Sequence, residues 1–186
     1  MPYSLFILPL GAIDQDILEH IRQTLDKTFR AETKILAGRG APFFALSSFR
    51  NQFNAPVIIR RIVSRISKAD AKVLGVTSFD LFAPRTNFVF GEAQISGTGA
   101  VVSLYRLVDE DREKYLERAG KEAVHEIGHT FGLNHCDVGD CVMRFSHNLT
   151  DTDAKPIAFC AKDQVQIDKI IEQNGETPPD EENNGK

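Results

Sequence analysis

Cysteine is scarce in this chain and long hydrophobic runs are missing. Only three cysteines occur among 186 residues, Cys136, Cys141 and Cys160, all in the last third. An odd, clustered set of this kind argues against a disulfide framework and for metal binding in a reducing compartment. The apolar start, Tyr3 to Leu10, is too short for a membrane span. It also lacks the basic leader and small-residue cleavage site of a signal peptide, so the expected location is cytoplasmic, with no membrane partner. Basic excess is absent as well. The formal net charge is −4 and the pI is near 5.7, which leaves a nucleic-acid partner without an electrostatic footprint. The glycine-rich turn at 38–42 lacks the Lys-Ser/Thr signature of a phosphate loop. Asn148-Leu149-Thr150 matches a glycosylation acceptor in form, but without a secretion signal it reads as a loop. No internal repeat is evident.

What is present fits an ordinary globular protein: 42% hydrophobic and 26% charged residues, enough to bury a core. The expected organisation is a single domain over 1–173, with an N-terminal lobe of about 1–132 and a C-terminal lobe of about 133–173. Residues 174–186, acidic, proline-rich and without apolar side chains, read as a disordered tail.

Along the chain, residues 3–10 predict a buried strand. Ile13, Ile17, Leu18, Ile21 and Leu25 recur at helical spacing, and 32–37 reads as a second strand. Residues 43–54 carry no clear period. From Ala55, Ile58, Ile59, Ile62, Val63 and Ile66 line one helical face against Arg60, Arg61, Arg65 and Lys68, a solvated face or an anion site. Strand-like segments follow at 72–82, interrupted by Thr77-Ser78-Phe79-Asp80 and ending at Pro84, then at 87–94 and 100–107. A helix then opens near Asp109-Glu110-Asp111 and continues to Phe131, with Gly120 as a possible break. A loop-rich stretch leads to a final helix from about Lys162. This order implies a mixed sheet with helices packed on it, α/β or α+β.

The chemistry concentrates in KEAVHEIGHTFGLNHCDVGDCVM, from Lys121 to Met143. Helical residues four apart share a face, so His125 and His129 can present imidazoles to one ion. Glu126 is turned about a quarter-circle away and can reach a water on that ion. Gly132 tolerates positive φ, ends the helix and lets the chain bring His135 to the same ion. Three histidines leave a fourth position open, the arrangement of a catalytic zinc. Such an ion lowers the pKa of its water toward ~7, and Glu126 takes the proton and delivers it to the leaving amine. The predicted reaction is amide hydrolysis. His20 reads as a surface position on the first helix, and His147 as an exposed loop residue or a substrate-side group.

These residues resemble the metzincin zinc metallopeptidases, and most closely the archaemetzincins, whose motif runs HExxHxxGxxHC, four residues, CxM, a spacer and CxxC. His125, Glu126, His129, Gly132, His135, Cys136, Cys141 and Met143 match at that spacing, and Cys160 matches the first cysteine of the closing pair. The motif covers roughly 124–163, and NFVFGEAQ is similar to the segment preceding the active-site helix. The resemblance implies a metzincin-like α+β fold, a catalytic zinc on His125, His129 and His135, Glu126 as general base, and Met143 in a turn beneath the site. It also implies a second, structural zinc in a loop-rich C-terminal subdomain. Its four cysteines are not all here: CxxC reads CAKD, so the ligands become Cys136, Cys141, Cys160 and Asp163, with water or His147 as substitutes for Asp163. Some metzincins place a tyrosine two residues after the turn methionine. Here that residue is Phe145, so no phenol is supplied, and Arg144 and His147 are the nearby polar candidates.

The expected function is a zinc-dependent metallopeptidase acting on a peptide or protein substrate, with aminopeptidase-like action suggested by the resemblance. A strand bordering the cleft, NFVFGEAQ or AVVSLYRL, can pair with substrate backbone or belong to the core. Glu92 is either an exposed strand carboxylate or a partner for a substrate amino terminus. The alternative is a zinc-stabilised binding or scaffold protein without turnover, against which Glu126 argues. A zinc-ribbon nucleic-acid binder conflicts with the acidic pI and the single cysteine group.

Overall fold

The N-terminal apolar run forms strand β1 (Ser4–Leu10), whose successive side chains point to opposite layers. Leu5 and Ile7 enter one core; Leu8 and Leu10 enter another. A strand covered on both faces has no solvated side, which is why the run is apolar from Leu5 to Leu10. In the computed structural model, residues 4–64 and 71–175 are described.

Helix α1 (Gln15–Phe29) follows, then β2 (Glu32–Ile35), β3 (Leu46–Ser47), β4 (Gln52–Asn54) and helix α2 (Ala55–Val63). Next come β5 (Ala71–Thr77), β6 (Leu81–Phe82), β7 (Gly91–Ala93), β8 (Gly99–Ser103) and helix α3 (Arg112–Thr130). Two helices close the chain, α4 (Leu149–Ala154) and α5 (Ala161–Gly175). A five-stranded sheet in the order β2-β1-β5-β8-β7 is parallel except for β7, which runs antiparallel to β8 at the edge. A smaller sheet has the order β3-β4-β6. The fold is α+β.

Helices α1 and α3 cover one face of the large sheet, with Ile21, Leu25, Ala123 and Ile127 packed on Leu74, Val76 and Val102. Helix α2 covers the other face, Ile58, Ile59 and Ile62 meeting Val73 and Val101. Asn54 caps α2 through its side-chain oxygen, which accepts from the Val57 N–H at 3.1 Å.

Several sequence expectations change. The segment 87–94 is a strand only at Gly91–Ala93. Before that, Arg50 donates to the carbonyls of Thr86 and Asn87, so these groups are satisfied outside a ladder. The 72–82 segment divides at the expected interruption, but its two parts, β5 and β6, belong to different sheets. The 100–107 strand ends at Ser103, and the Leu107 N–H turns back to the Leu104 carbonyl. Gly120 does not break α3: a Cβ there would lie 3.0 Å from Ile157 and 3.2 Å from His20, so the missing side chain lets α1 approach α3. His20 accordingly sits half-buried at that junction and not on the open surface. The loop-rich stretch contains α4, capped by Asn148. Helix α5 reaches Gly175, two residues into the segment read as a tail, while 176–186 lie outside the described residues. Arg65, Ile66 and Lys68 also lie outside them; Arg60 and Arg61 are exposed.

Candidate metal centre and active site

Helix α3 begins where the Asp111 carboxylate accepts from the N–H groups of Glu113 and Lys114. It ends at Gly132, whose φ of 91° only glycine adopts without strain. There the Gly132 N–H donates to the His129 carbonyl at 2.9 Å and the Leu133 N–H to the Gly128 carbonyl at 3.2 Å, a Schellman closure. This turn redirects the chain so that His135 returns to the helix face carrying His125 and His129. The ring centroids of the three histidines lie 4.7 to 5.3 Å apart, and one nitrogen from each falls within 4.8 Å of the others.

Tautomers follow from the partners. The His125 Nδ1 lies 2.8 Å from the Val142 carbonyl oxygen, and the His129 Nδ1 lies 2.7 Å from that of Leu133. A carbonyl only accepts, so both Nδ1 atoms carry the proton and both Nε2 atoms present lone pairs. Those two Nε2 atoms are 3.1 Å apart. Two lone pairs facing at that distance fit a shared cation, since tetrahedral ligands ~2.05 Å from zinc sit ~3.3 Å from each other. Burial holds the imidazolium form of all three histidines down, with Lys155 adding to the effect, so the rings stay neutral and ready to ligate.

Glu126 is buried at the cleft, and its carboxyl is pushed well above the usual range, first by burial and then by Glu122 and Glu92. Space for it depends on the edge strand. A Cβ at Gly91 would lie 2.5 Å from both Cγ and Oε1 of Glu126, so only glycine there leaves room for the carboxylate. Met143 fills the opposite side of the helix: its Sδ lies 2.6 Å from where a Gly128 Cβ would stand. The thioether therefore packs directly on α3, one turn of backbone between the two helical histidines, as a soft floor. Phe145 stacks edge-on to the His135 ring at 4.9 Å.

The three histidines, Glu126 and Phe145 line a cavity of about 510 Å³ whose opposite wall is the segment from Thr86 to Ala93. Glu92 lies on that wall, half-buried, with its carboxyl raised by burial and no cation against it among the described residues. His147 is exposed at the rim, edge-on to Phe145.

The second donor set assembles from three places in the chain. Cys136 follows His135, Cys141 precedes the Met143 turn, and Cys160 and Asp163 lie at the start of α5. One ligand atom from each falls within 4.8 Å of all the others, a group that does not include His147. The Cys136 and Cys160 sulfurs are 3.8 Å apart, far beyond a disulfide and equal to the ~3.8 Å that two Zn–S bonds of ~2.3 Å subtend in a tetrahedron. The Cys141 Sγ lies 3.2 Å from the Asp163 Oδ2. Burial pushes the Cys141 thiol up to about 12, so metal binding there releases protons. The donor chemistry of the two sets, imidazole in one and mainly sulfur in the other, fits two zinc ions.

Sequence reasoning overlooked the pair Glu122 and Lys155. Glu122 stands one helical turn before Glu126 and borders the cavity, and the buried Lys155 ammonium lies 3.0 Å from it. The i−4 spacing from Glu126 was visible; the lysine was not.

The model of peptidase family M54 matches residues 28–169. The archaemetzincin of Archaeoglobus fulgidus is 42% identical over 158 residues, covering 84% of this chain and 94% of that protein. The crystal structure of the archaemetzincin from Methanopyrus kandleri is similar at a TM-score of 0.83 and 36% identity, over 91% of this chain and 96% of that one. A zinc-dependent peptidase from Methanocorpusculum labreanum is similar at a TM-score of 0.76 and 29% identity, over 88% and 99%. With the histidine and cysteine sets in place on this fold, the chain belongs to peptidase family M54, the archaemetzincins.

Proposed function

We infer that this zinc metallopeptidase hydrolyses peptide bonds at the cleft between α3 and β7, with His125, His129 and His135 as catalytic ligands and Glu126 as general base. The observation that carries this reading is the 3.1 Å pair of Nε2 lone pairs beside a buried carboxylate facing the same cavity. When bound, zinc supplies a water of lowered pKa and polarises the scissile carbonyl. Glu126 accepts the proton of the attacking water and passes it to the leaving nitrogen as the C–N bond breaks. Glu92 lies on the same wall as a carboxylate with no cation against it among the described residues, and we assign it to the substrate ammonium, which supports amino-terminal cleavage. The free edge of β7 is suited to backbone pairing with the peptide.

Cys136, Cys141, Cys160 and Asp163 are the proposed ligands of the structural zinc. The domain assignment stays as one catalytic unit over 1–173, supported by Ile167 and Phe159 sharing a core with Phe29 and Ile127. No helix among the described residues is long and apolar enough to cross a membrane. The thiol-rich donor set supports a reducing, cytoplasmic setting.

A library of fluorogenic peptides tests the reading, with zinc-loaded wild type and Glu126→Gln compared. The expected result is a rate loss of ~10²–10⁴-fold with unchanged zinc content. Equal rates would remove Glu126 from the mechanism.

A further inference from the structure

A second cavity, of about 660 Å³, lies next to the cleft and takes no part in the chemistry above. Its apolar wall is a row of rings: Phe43 and Phe53 have centroids 6.2 Å apart, and Phe53 and Phe79 4.8 Å. The segment supplying this wall leaves unusually much aromatic surface in water. Phe43 is 69% exposed, Phe44 55% and Phe49 100%. Single exposed apolar residues need no explanation, but three exposed phenylalanines within seven residues do, and the first of them, Phe43, lines the cavity.

The cavity adjoins the catalytic cleft through two arginines. Arg106 lines it and lays its guanidinium 4.2 Å from the ring centroid of Phe88, which lines the cleft. Arg50 lines it too and donates to the carbonyls of Thr86 and Asn87, at the cleft's far end. A chain leaving the cleft past Phe88 therefore meets this groove next.

Its charge runs against that of the whole molecule. The one carboxylate among the lining residues, Asp80, is already held by Arg106 at 2.7 Å and by Gln52 at 2.9 Å. Arg50 stands at the groove, and the exposed Arg61 lies 5.9 Å from the Phe44 ring. A groove of rings edged by guanidinium groups, in a protein of net charge −4, favours an acidic and aromatic partner.

We propose that this groove is an exosite that binds an acidic, aromatic segment of the polypeptide substrate, beyond the residues flanking the scissile bond. The proposal rests on the peptidase reading and adds the class of substrate: an extended chain, selected partly by a segment the cleft never touches. Rings at the rim gain burial only when such a segment is present, so the effect falls on substrate affinity more than on turnover.

The test uses the zinc-loaded full chain and a fluorogenic peptide that it cleaves. The same reporter is extended on its carboxyl-terminal flank, which leaves the amino terminus free, by Glu-Phe-Glu-Phe-Glu-Leu, and a control extension replaces each Glu by Lys. The acidic extension is expected to lower KM about tenfold, the lysine control not at all. Phe43→Ser with Phe49→Ser, and separately Arg61→Glu, should abolish that gain while leaving the short reporter unchanged. No gain from the acidic extension, or equal losses on both substrates, overturns the proposal. If no peptide is cleaved, the peptidase reading fails. Fluorescence anisotropy of the labelled extension with Glu126→Gln protein then decides the groove separately: binding lost in Phe43→Ser/Phe49→Ser supports it, and no binding overturns it. Wild type that dimerises in sedimentation while that double variant stays monomeric assigns the rings to a second copy and overturns the proposal.

Discussion

The ammonium of Lys155 lies 3.0 Å from the carboxylate of Glu122, and both side chains are buried. Thr152 donates its hydroxyl to the same Glu122 oxygen at 3.1 Å, and Lys155 reaches the Arg144 carbonyl at 3.4 Å. One ion pair thus ties α4 and the backbone next to Met143 to the helix that carries the histidines.

Removing one partner of such a pair leaves an uncompensated buried charge. Lys155→Met should lower unfolding free energy by ~3–5 kcal/mol, and Glu122→Gln combined with it should recover much of the loss. A double-mutant cycle in urea checks this. Additive losses would mean that the pair carries no coupling.

Gly91→Ala tests the space reserved for Glu126, the proposed general base. The added Cβ would fall 2.5 Å from Oε1 of Glu126, so the carboxylate must move. A misplacement of about 1 Å costs roughly 10²-fold in rate. The expected outcome is a kcat reduced by about that factor, with zinc content and melting temperature near wild type. Full activity in the variant would show that Glu126 is not confined by the edge strand.

Elemental analysis of reconstituted protein should find about two zinc ions per chain, one of them readily removed by chelator. Asp163→Ala should loosen the second ion and lower the melting temperature, because its binding contributes to folding. Unchanged metal content and melting would exclude Asp163 as a ligand.

Acid should weaken the contact between α3 and α4. The Arg118 guanidinium, 2.6 Å from Asp153, holds that carboxyl below its ordinary value. The folded form therefore binds fewer protons than the unfolded chain as pH falls through the carboxylate range. Its stabilisation is present above the unfolded pKa and disappears as pH drops through the folded one. Stability measured from pH 6 downward should fall less steeply in Asp153→Asn than in wild type. Parallel curves would assign the acid sensitivity to other carboxylates.

The catalytic half of the site was legible because it is local. Helical periodicity alone puts His125 and His129 on one face, and a glycine three residues later is what a helix needs to end in a left-handed turn. The strands and helices with long apolar periods were legible for the same reason. Segment 87–90 was not, because its partners come from elsewhere in the chain: the Arg50 side chain takes the Asn87 carbonyl, and Val89 bridges to Leu81 instead of continuing the β7 ladder. Helix α4 was missed because six residues with one buried side chain leave no period to read.

By itself the sequence determined which donors exist and in what order: three histidines, three cysteines and the aspartate where a fourth cysteine would stand. Tertiary structure decided what surrounds them. It brought Asp163 to Cys141 across α5, set Met143 against the bare face at Gly128, buried Lys155 beside Glu122, and placed Gly91 on an edge strand opposite Glu126. The physical reason is range. Dihedral preferences and helical spacing act within a few residues, whereas burial, excluded volume and charge pairing act between atoms that only the folded chain makes neighbours.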